Sequence, residues 1–216
     1  AILKWTDALL EKYVQCGQGQ IAKQHAIPPN LTAPVRIGSR TETLRPHRVV
    51  FGDPSQTAVA LLVMADTSPH IGRGRGRNKY AQFLEMLRGT GHRLGLLTNG
   101  SQFRLIYAGI DFESWCEWES DRWFDGGEGT EELGGLRQLL SPESLAPAKS
   151  GISSLLDAVE ESRKRQADLS SVLRENVRQA VELLLEDVST AHRTKSDLFA
   201  ALMSSGTDHR LTDAEA

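Results

Sequence analysis

Apolar and polar positions follow two periods along this chain, and each period predicts its own elements. Residues 2–14 set Trp5, Leu9, Leu10 and Tyr13 at roughly helical spacing, which predicts a short helix that the glycines of 16–20 then break. Three prolines and a glycine make 25–40 a connecting loop or an irregular strand. Two strands are predicted next, Arg48–Phe51 and Val59–Ala65, joined by the turn Gly52-Asp53-Pro54-Ser55. The second is almost wholly apolar, as befits a strand buried on both faces. Residues 68–77 form a Gly/Arg loop. In 78–88, Tyr80, Phe83, Leu84 and Leu87 fall on one helical face, and Gly89 and Gly91 end the helix.

The apolar runs 94–97 and 103–107 flank Asn99-Gly100, a strong hairpin signal because both residues tolerate the positive φ of a tight turn. Beyond it, 111–132 holds Trp115, Trp118, Trp123 and Phe124 among nine acids, with Arg122 the only base. These aromatics read as packing anchors, and their acidic surroundings repel phosphate. Pro142, Pro147 and Gly151 mark a boundary. Helical spacing resumes with Ile152, Leu155, Leu156 and Val159, then runs from Leu169 to Val188. The polar stretch 161–166 interrupts it, predicting one interrupted helix or two in tandem. A stripe this wide requires a partner surface. Residues 192–216 are polar. The chain opens on Ala and closes on a polar stretch, which reads as part of a longer protein.

The hairpin, Leu94-Gly95-Leu96-Leu97-Thr98-Asn99-Gly100-Ser101-Gln102-Phe103-Arg104-Leu105-Ile106-Tyr107, also carries a resemblance. It looks like the pattern (W/L)GxLTNGxxWRLY that ends the N-terminal nuclease-type domain of large bacterial restriction–modification and phage-defence adenine methyltransferases. These are the type IIG/IIL and DISARM-like enzymes; Phe103 stands where they have Trp. Their W.EW....WF stretch is similar to Trp115–Phe124 here. The resemblance covers roughly 40–140 well and the helical part loosely. It implies an α/β, restriction-endonuclease-like (PD-(D/E)xK-type) mixed sheet with flanking helices over 1–140. A helical connector over 151–190 and a polar tail over 191–216 would follow. It also implies a parent enzyme that methylates adenine in DNA with S-adenosylmethionine. Neither the NPPY-type tetrad nor the Gly-rich cofactor loop occurs here, so this segment precedes that domain and binds no cofactor itself.

A nuclease of this type needs one acid at a strand start and an acid-x-Lys on the next strand, to hold Mg²⁺ and orient water. Where the family shows LRPD, this chain has Leu44-Arg45-Pro46-His47; where it shows acid-x-Lys, this chain has Ala65-Asp66-Thr67. His47, Ala65 and Thr67 thus stand at degenerate positions. Strand alternation puts 65 and 67 on one side and Asp66 on the other, so Asp66 does not simply replace the absent acid. Asp53 and Asp66 form a fallback metal pair in an alternative reading as an active Mg²⁺ endonuclease.

Gly72-Arg73-Gly74-Arg75-Gly76-Arg77-Asn78-Lys79 is the most basic stretch. Its glycines let the backbone approach phosphates, so Arg73, Arg75, Arg77 and Lys79 are candidate contacts to double-stranded DNA; a solvated loop is the plainer reading. It matches neither a P-loop nor GxGxxG. Gln82 lies near the place of a helical glutamine in related nucleases, with a surface or capping role as the alternative.

Composition adds limits. With 39% hydrophobic and 25% charged residues, the 216-residue chain is ordinary for a globular domain with an appendage. A net charge of −3 argues against a wholly basic nucleic-acid coat. Cys16 and Cys116 lack CxxC spacing, the histidines lack metal-ligand spacing, and there is no GxSxG. The longest apolar run, 58–65, is too short to span a bilayer and no signal peptide is visible, so a cytoplasmic protein is expected. A protein–protein docking module within a defence complex, without DNA contact, is a further reading. The acidic aromatic segment and the helical stripe would then bind partner subunits.

Overall fold

The computed structural model describes residues 1–17, 19–72, 78–124, 127–147 and 154–194. Arg73, Arg75 and Arg77 lie outside the described residues. The chain divides into two compact units, Ala1–Glu161 and Ser162–Ala216.

The first unit is an α/β domain on a mixed sheet. Its strands are β1 (Ile21–Lys23), β2 (Ala33–Ile37), β3 (Arg40–Leu44), β4 (Arg48–Phe51), β5 (Val59–Ala65), β6 (Leu94–Thr98), β7 (Gln102–Ala108) and β8 (Glu113–Glu119). Six of them form one sheet in the order β1-β4-β5-β6-β7-β8; β2 and β3 make a separate hairpin. All neighbours in the large sheet are antiparallel except β5 and β6. A parallel pair needs a crossover, and α2 (Lys79–Gly89) supplies it.

Strand alternation divides the core in two. Val50, Leu61, Val63, Leu96, Phe103 and Leu105 point to one face. That face is covered by α1 (Ile2–Ala8) with a π-helical turn over Leu9–Tyr13, by α3 (Glu128–Leu139) and α4 (Pro142–Leu145), and by the start of α5 (Leu155–Thr194). Val49, Leu62, Met64, Leu97 and Ile106 point to the other face, under α2 and β2. Gly95 lets α2 close on the sheet: a Cβ there would stand 2.7 Å from atoms of Leu87 and Phe83. The α1 end is tied to β4 by a bidentate pair, Arg48 Nε to Asp7 Oδ1 at 2.8 Å and Arg48 Nη2 to Asp7 Oδ2 at 3.0 Å.

The predicted strands and the crossover helix are present. Three segments go beyond or against the expectation. Of the two readings of 25–40, the strand forms: its proline-bearing part is β2, in a two-stranded hairpin where a missing N–H is tolerated. The acidic aromatic segment contributes β8, an edge strand with its outer face open. Trp118 and Trp123 are buried as packing anchors, whereas Trp115 and Phe124 are exposed. Finally, α5 is one uninterrupted helix, because five of the six residues 161–166 are strong helix formers and none is Gly or Pro. No helix among the described residues is long and apolar enough to cross a membrane.

Candidate functional site

Because β5 and β6 run parallel and β4 runs against β5, one end of the sheet gathers four features. They are the start of β4, the ends of β5 and β6, and the N-terminus of α2. His47 donates its backbone N–H to Val63 O at 2.8 Å, in register with β5. Its Nδ1 accepts the N–H of Ala65 at 2.9 Å. The register sets Arg48 opposite Val63, so residue 47, just before β4, reaches the Ala65 backbone although 17 residues separate the two in the chain.

His47 is held neutral. Desolvation of its ring, then the charges of Lys79 and Arg48, push its pKa below the ordinary imidazole value. The bond from Ala65 points the same way, since only an unprotonated Nδ1 accepts. The ring is thus biased toward its neutral form in the site. Lys79 is half-buried at the first position of α2, whose N-cap Asn78 accepts from Ala81 N at 3.0 Å. Gln82, one turn on, is buried rather than on the surface.

Asp66 turns inward. It is 4% exposed, its N–H donates to Thr98 O at 2.8 Å, and its Oδ1 accepts from Ser68 N at 3.0 Å. Thr67 is exposed and Ala65 half-buried. Asp53 follows the end of β4, at the opposite end of the β4–β5 hairpin. Its carboxylate accepts from Ser55 Oγ (2.6 Å), Thr57 Oγ1 (2.7 Å), Thr57 N (3.2 Å) and Ala58 N (3.2 Å). Those bonds, Ser55's foremost, push its pKa well below the carboxylate range. With β5 between them, Asp53 and Asp66 are separated by about 20 Å at 3.3 Å per residue, so they cannot share one metal ion. Among the described residues, no group of three His, Cys, Asp or Glu side chains is placed to hold one.

The hairpin turn beside this site works differently from its sequence signal. Gly100 has φ +97° and Asn99 has no positive φ, so the turn has the II′ requirement rather than the I′ one. Asn99 acts through its side chain: Oδ1 accepts from Ser101 N (3.1 Å) and Gln102 N (2.7 Å), and Nδ2 donates to Ser68 O and Pro69 O, both at 3.1 Å. It clamps the β6–β7 turn to the loop after β5. Asn99→Ala should cost about 1–2 kcal/mol, read as a lower urea midpoint with unchanged m-value.

Sequence reasoning missed a second polar node. Arg104, an arginine inside the apolar strand β7, is 8% exposed. It pairs with Glu117 Oε2 at 2.7 Å, donates to Ile71 O at 3.2 Å, and lies 4.1 Å from the Trp115 ring centroid and 5.3 Å from that of Tyr80. An arginine among apolar strand residues is the signal that marks it. The neighbouring cleft, about 520 Å³, is rimmed by Glu113, Glu117 and Glu119. Among the described residues that line it, the only arginine is thus neutralised by Glu117, and the three glutamates disfavour phosphate.

Compared with known proteins, the chain matches no family model, no curated protein and no solved structure.

Proposed function

We propose that the first unit is a restriction-endonuclease-like domain whose metal site has lapsed, and that it positions double-stranded DNA for a larger protein. In this reading the parent is a bacterial restriction–modification or phage-defence adenine methyltransferase that uses S-adenosylmethionine. The run β4–β5–α2–β6, antiparallel and then parallel, supports the nuclease-like assignment. So does the gathering of positions 47, 65 and 67 at one sheet end, as a two-carboxylate site requires. The observation that carries the reading is the His47 Nδ1 bond to the Ala65 N–H. The pairing a nuclease uses to converge two carboxylates here joins an imidazole to a backbone amide.

The chemistry follows from those residues. Mg²⁺ takes hard oxygen ligands, and neutral imidazole and a methyl group do not replace them. With Thr at 67, no lysine there stabilises the charge that develops during phosphodiester attack. Lys79 remains, at a helix N-terminus whose dipole favours anions. Arg73, Arg75 and Arg77 precede it in the sequence. Binding through such groups is sequence-tolerant and salt-steep, with a log–log slope of about −0.9 per phosphate neutralised.

The test has two arms. Supercoiled plasmid incubated with the chain and Mg²⁺ or Mn²⁺ should stay unnicked, while His47→Asp, Ala65→Glu and Thr67→Lys together should recover weak nicking. Nicking by the wild-type chain that disappears in Asp66→Ala sinks the lapsed-site reading. In the second arm, replacing Arg73, Arg75, Arg77 and Lys79 by Ala should weaken binding equally across DNA sequences. Unchanged binding, or none to begin with, favours docking without DNA contact, a reading supported by the exposed Trp115 on the acidic edge strand.

A further inference from the structure

In the second unit, the helical residues 162–194 leave their apolar positions open. Leu169, Leu173, Val177, Leu184 and Val188 are 47–63% exposed. With Ala180 they form one seam with intervals of 4, 4, 3, 4 and 4 residues. Two properties of this seam identify what covers it. Its 11-residue period, 3.67 residues per turn, nearly matches a straight helix, so two such seams stay in contact over their whole length. Its intervals also read the same in both directions, so an antiparallel copy meshes with it as well as a parallel one: Val177 faces Ala180, Leu173 faces Leu184, and Leu169 faces Val188.

Charge decides the direction. Arg163, Lys164, Arg165 and Arg174 against Asp168 leave 162–174 at net +3. Glu175, Glu182, Glu186 and Asp187 against Arg178 leave 175–188 at net −3. Parallel copies set each half against its like, +3 on +3 and −3 on −3; antiparallel copies about the axis of this seam set 163–174, at net +3, against 183–194, at net −1. Two like-charge approaches occur in the antiparallel arrangement: Lys164 against Arg193 near the helix ends, and Glu175 against Glu182, where Arg178 already pairs with both acids within its own helix. From the seam and the charge reversal we infer that this helix docks on a second copy of itself, antiparallel, with the two-fold axis between Val177 and Ala180. The inference does not depend on the DNA-positioning reading.

Sedimentation velocity of the 216-residue chain should give twice the 23.8 kDa monomer mass. The double variant Leu173→Glu with Leu184→Glu should return it to monomer without changing the far-UV spectrum, since both side chains are exposed. Direction is read by disulfide trapping in a Cys116→Ser background; Cys16 is buried, and burial pushes its thiol up to about 11, so it stays inert. A mixture of Leu173→Cys and Leu184→Cys chains should cross-link to each other, because these positions face across the axis. Neither alone should cross-link, because position 173 lies about 16 Å along the helix from its own copy, beyond disulfide reach. A monomeric wild-type chain, a dimer untouched by the double variant, or self-cross-linking of Leu173→Cys overturns the inference.

Discussion

Replacing Gly95 by valine is expected to lower the melting temperature by roughly 6–12 °C. An overpacked core site costs about 3 kcal/mol, and a chain of this size loses roughly 2–4 °C per kcal/mol. The cause is local: three side-chain atoms, Leu87 Cδ1 and Phe83 Cε1 and Cζ, stand 2.7 Å from where a Cβ would be. Phe83 and Leu87 are fully buried and have nowhere to retreat. If that contact is the cause, trimming the helix side relieves it. Gly95→Ala combined with Phe83→Leu should destabilise less than the sum of the two single changes, by about 0.5–2 kcal/mol. Calorimetry on the four proteins decides it; a Gly95→Val melting point within about 2 °C of wild type removes the close-approach explanation.

Arg48→Met should cost about 2–3 kcal/mol at pH 7. Asp7 and Arg48 side chains are 15% and 10% exposed, so removing the guanidinium strands a mostly buried carboxylate. The cost is set below the 3–5 kcal/mol of a fully buried pair because both groups keep some solvent and Lys23 remains 3.3 Å from Asp7. The pH dependence carries the sign. Burial alone would raise the Asp7 pKa, but the hydrogen bond and charge of Arg48, then those of Lys23, outweigh it and hold the carboxyl below its ordinary 3.8. A lowered folded pKa gives stability that is complete above about pH 4 and lost as pH falls through the folded value. In Arg48→Met the burial contribution is no longer opposed by the guanidinium, so protonation ceases to be costly. The gap between the two proteins should therefore narrow from pH 7 to pH 3, as urea midpoints show. A gap that stays constant would mean that Arg48 acts through packing of its stem and not through its charge.

The sequence by itself determined the elements whose signals are local. β4, β5, α2 and the β6–β7 hairpin all stood in the apolar pattern, because periodicity and turn-forming residues act within a few positions. The aromatic segment was half legible: burial of Trp118 and Trp123 followed from their type, but the openness of Trp115 followed from β8 being the last strand of its sheet. β1 owes its extended backbone to a ladder partner far along the chain, Val50 for Ile21, and β2 owes its own to the return strand of its hairpin, Leu44 for Ala33. Three residues, or five containing a proline, carry too little pattern to announce a strand. For the candidate site, the sequence marked positions 47, 65 and 67 through resemblance and the basic run through composition. Only the tertiary structure decided which groups meet. The β4–β5 register put the His47 ring on the Ala65 N–H and sent Asp53 to the far end of the hairpin. Packing on β7 neutralised Arg104 with Glu117, and α1 delivered Asp7 to Arg48. Strand register and the closing of helices on a sheet are set by contacts between residues from 13 to 41 positions apart here, and no local period encodes them.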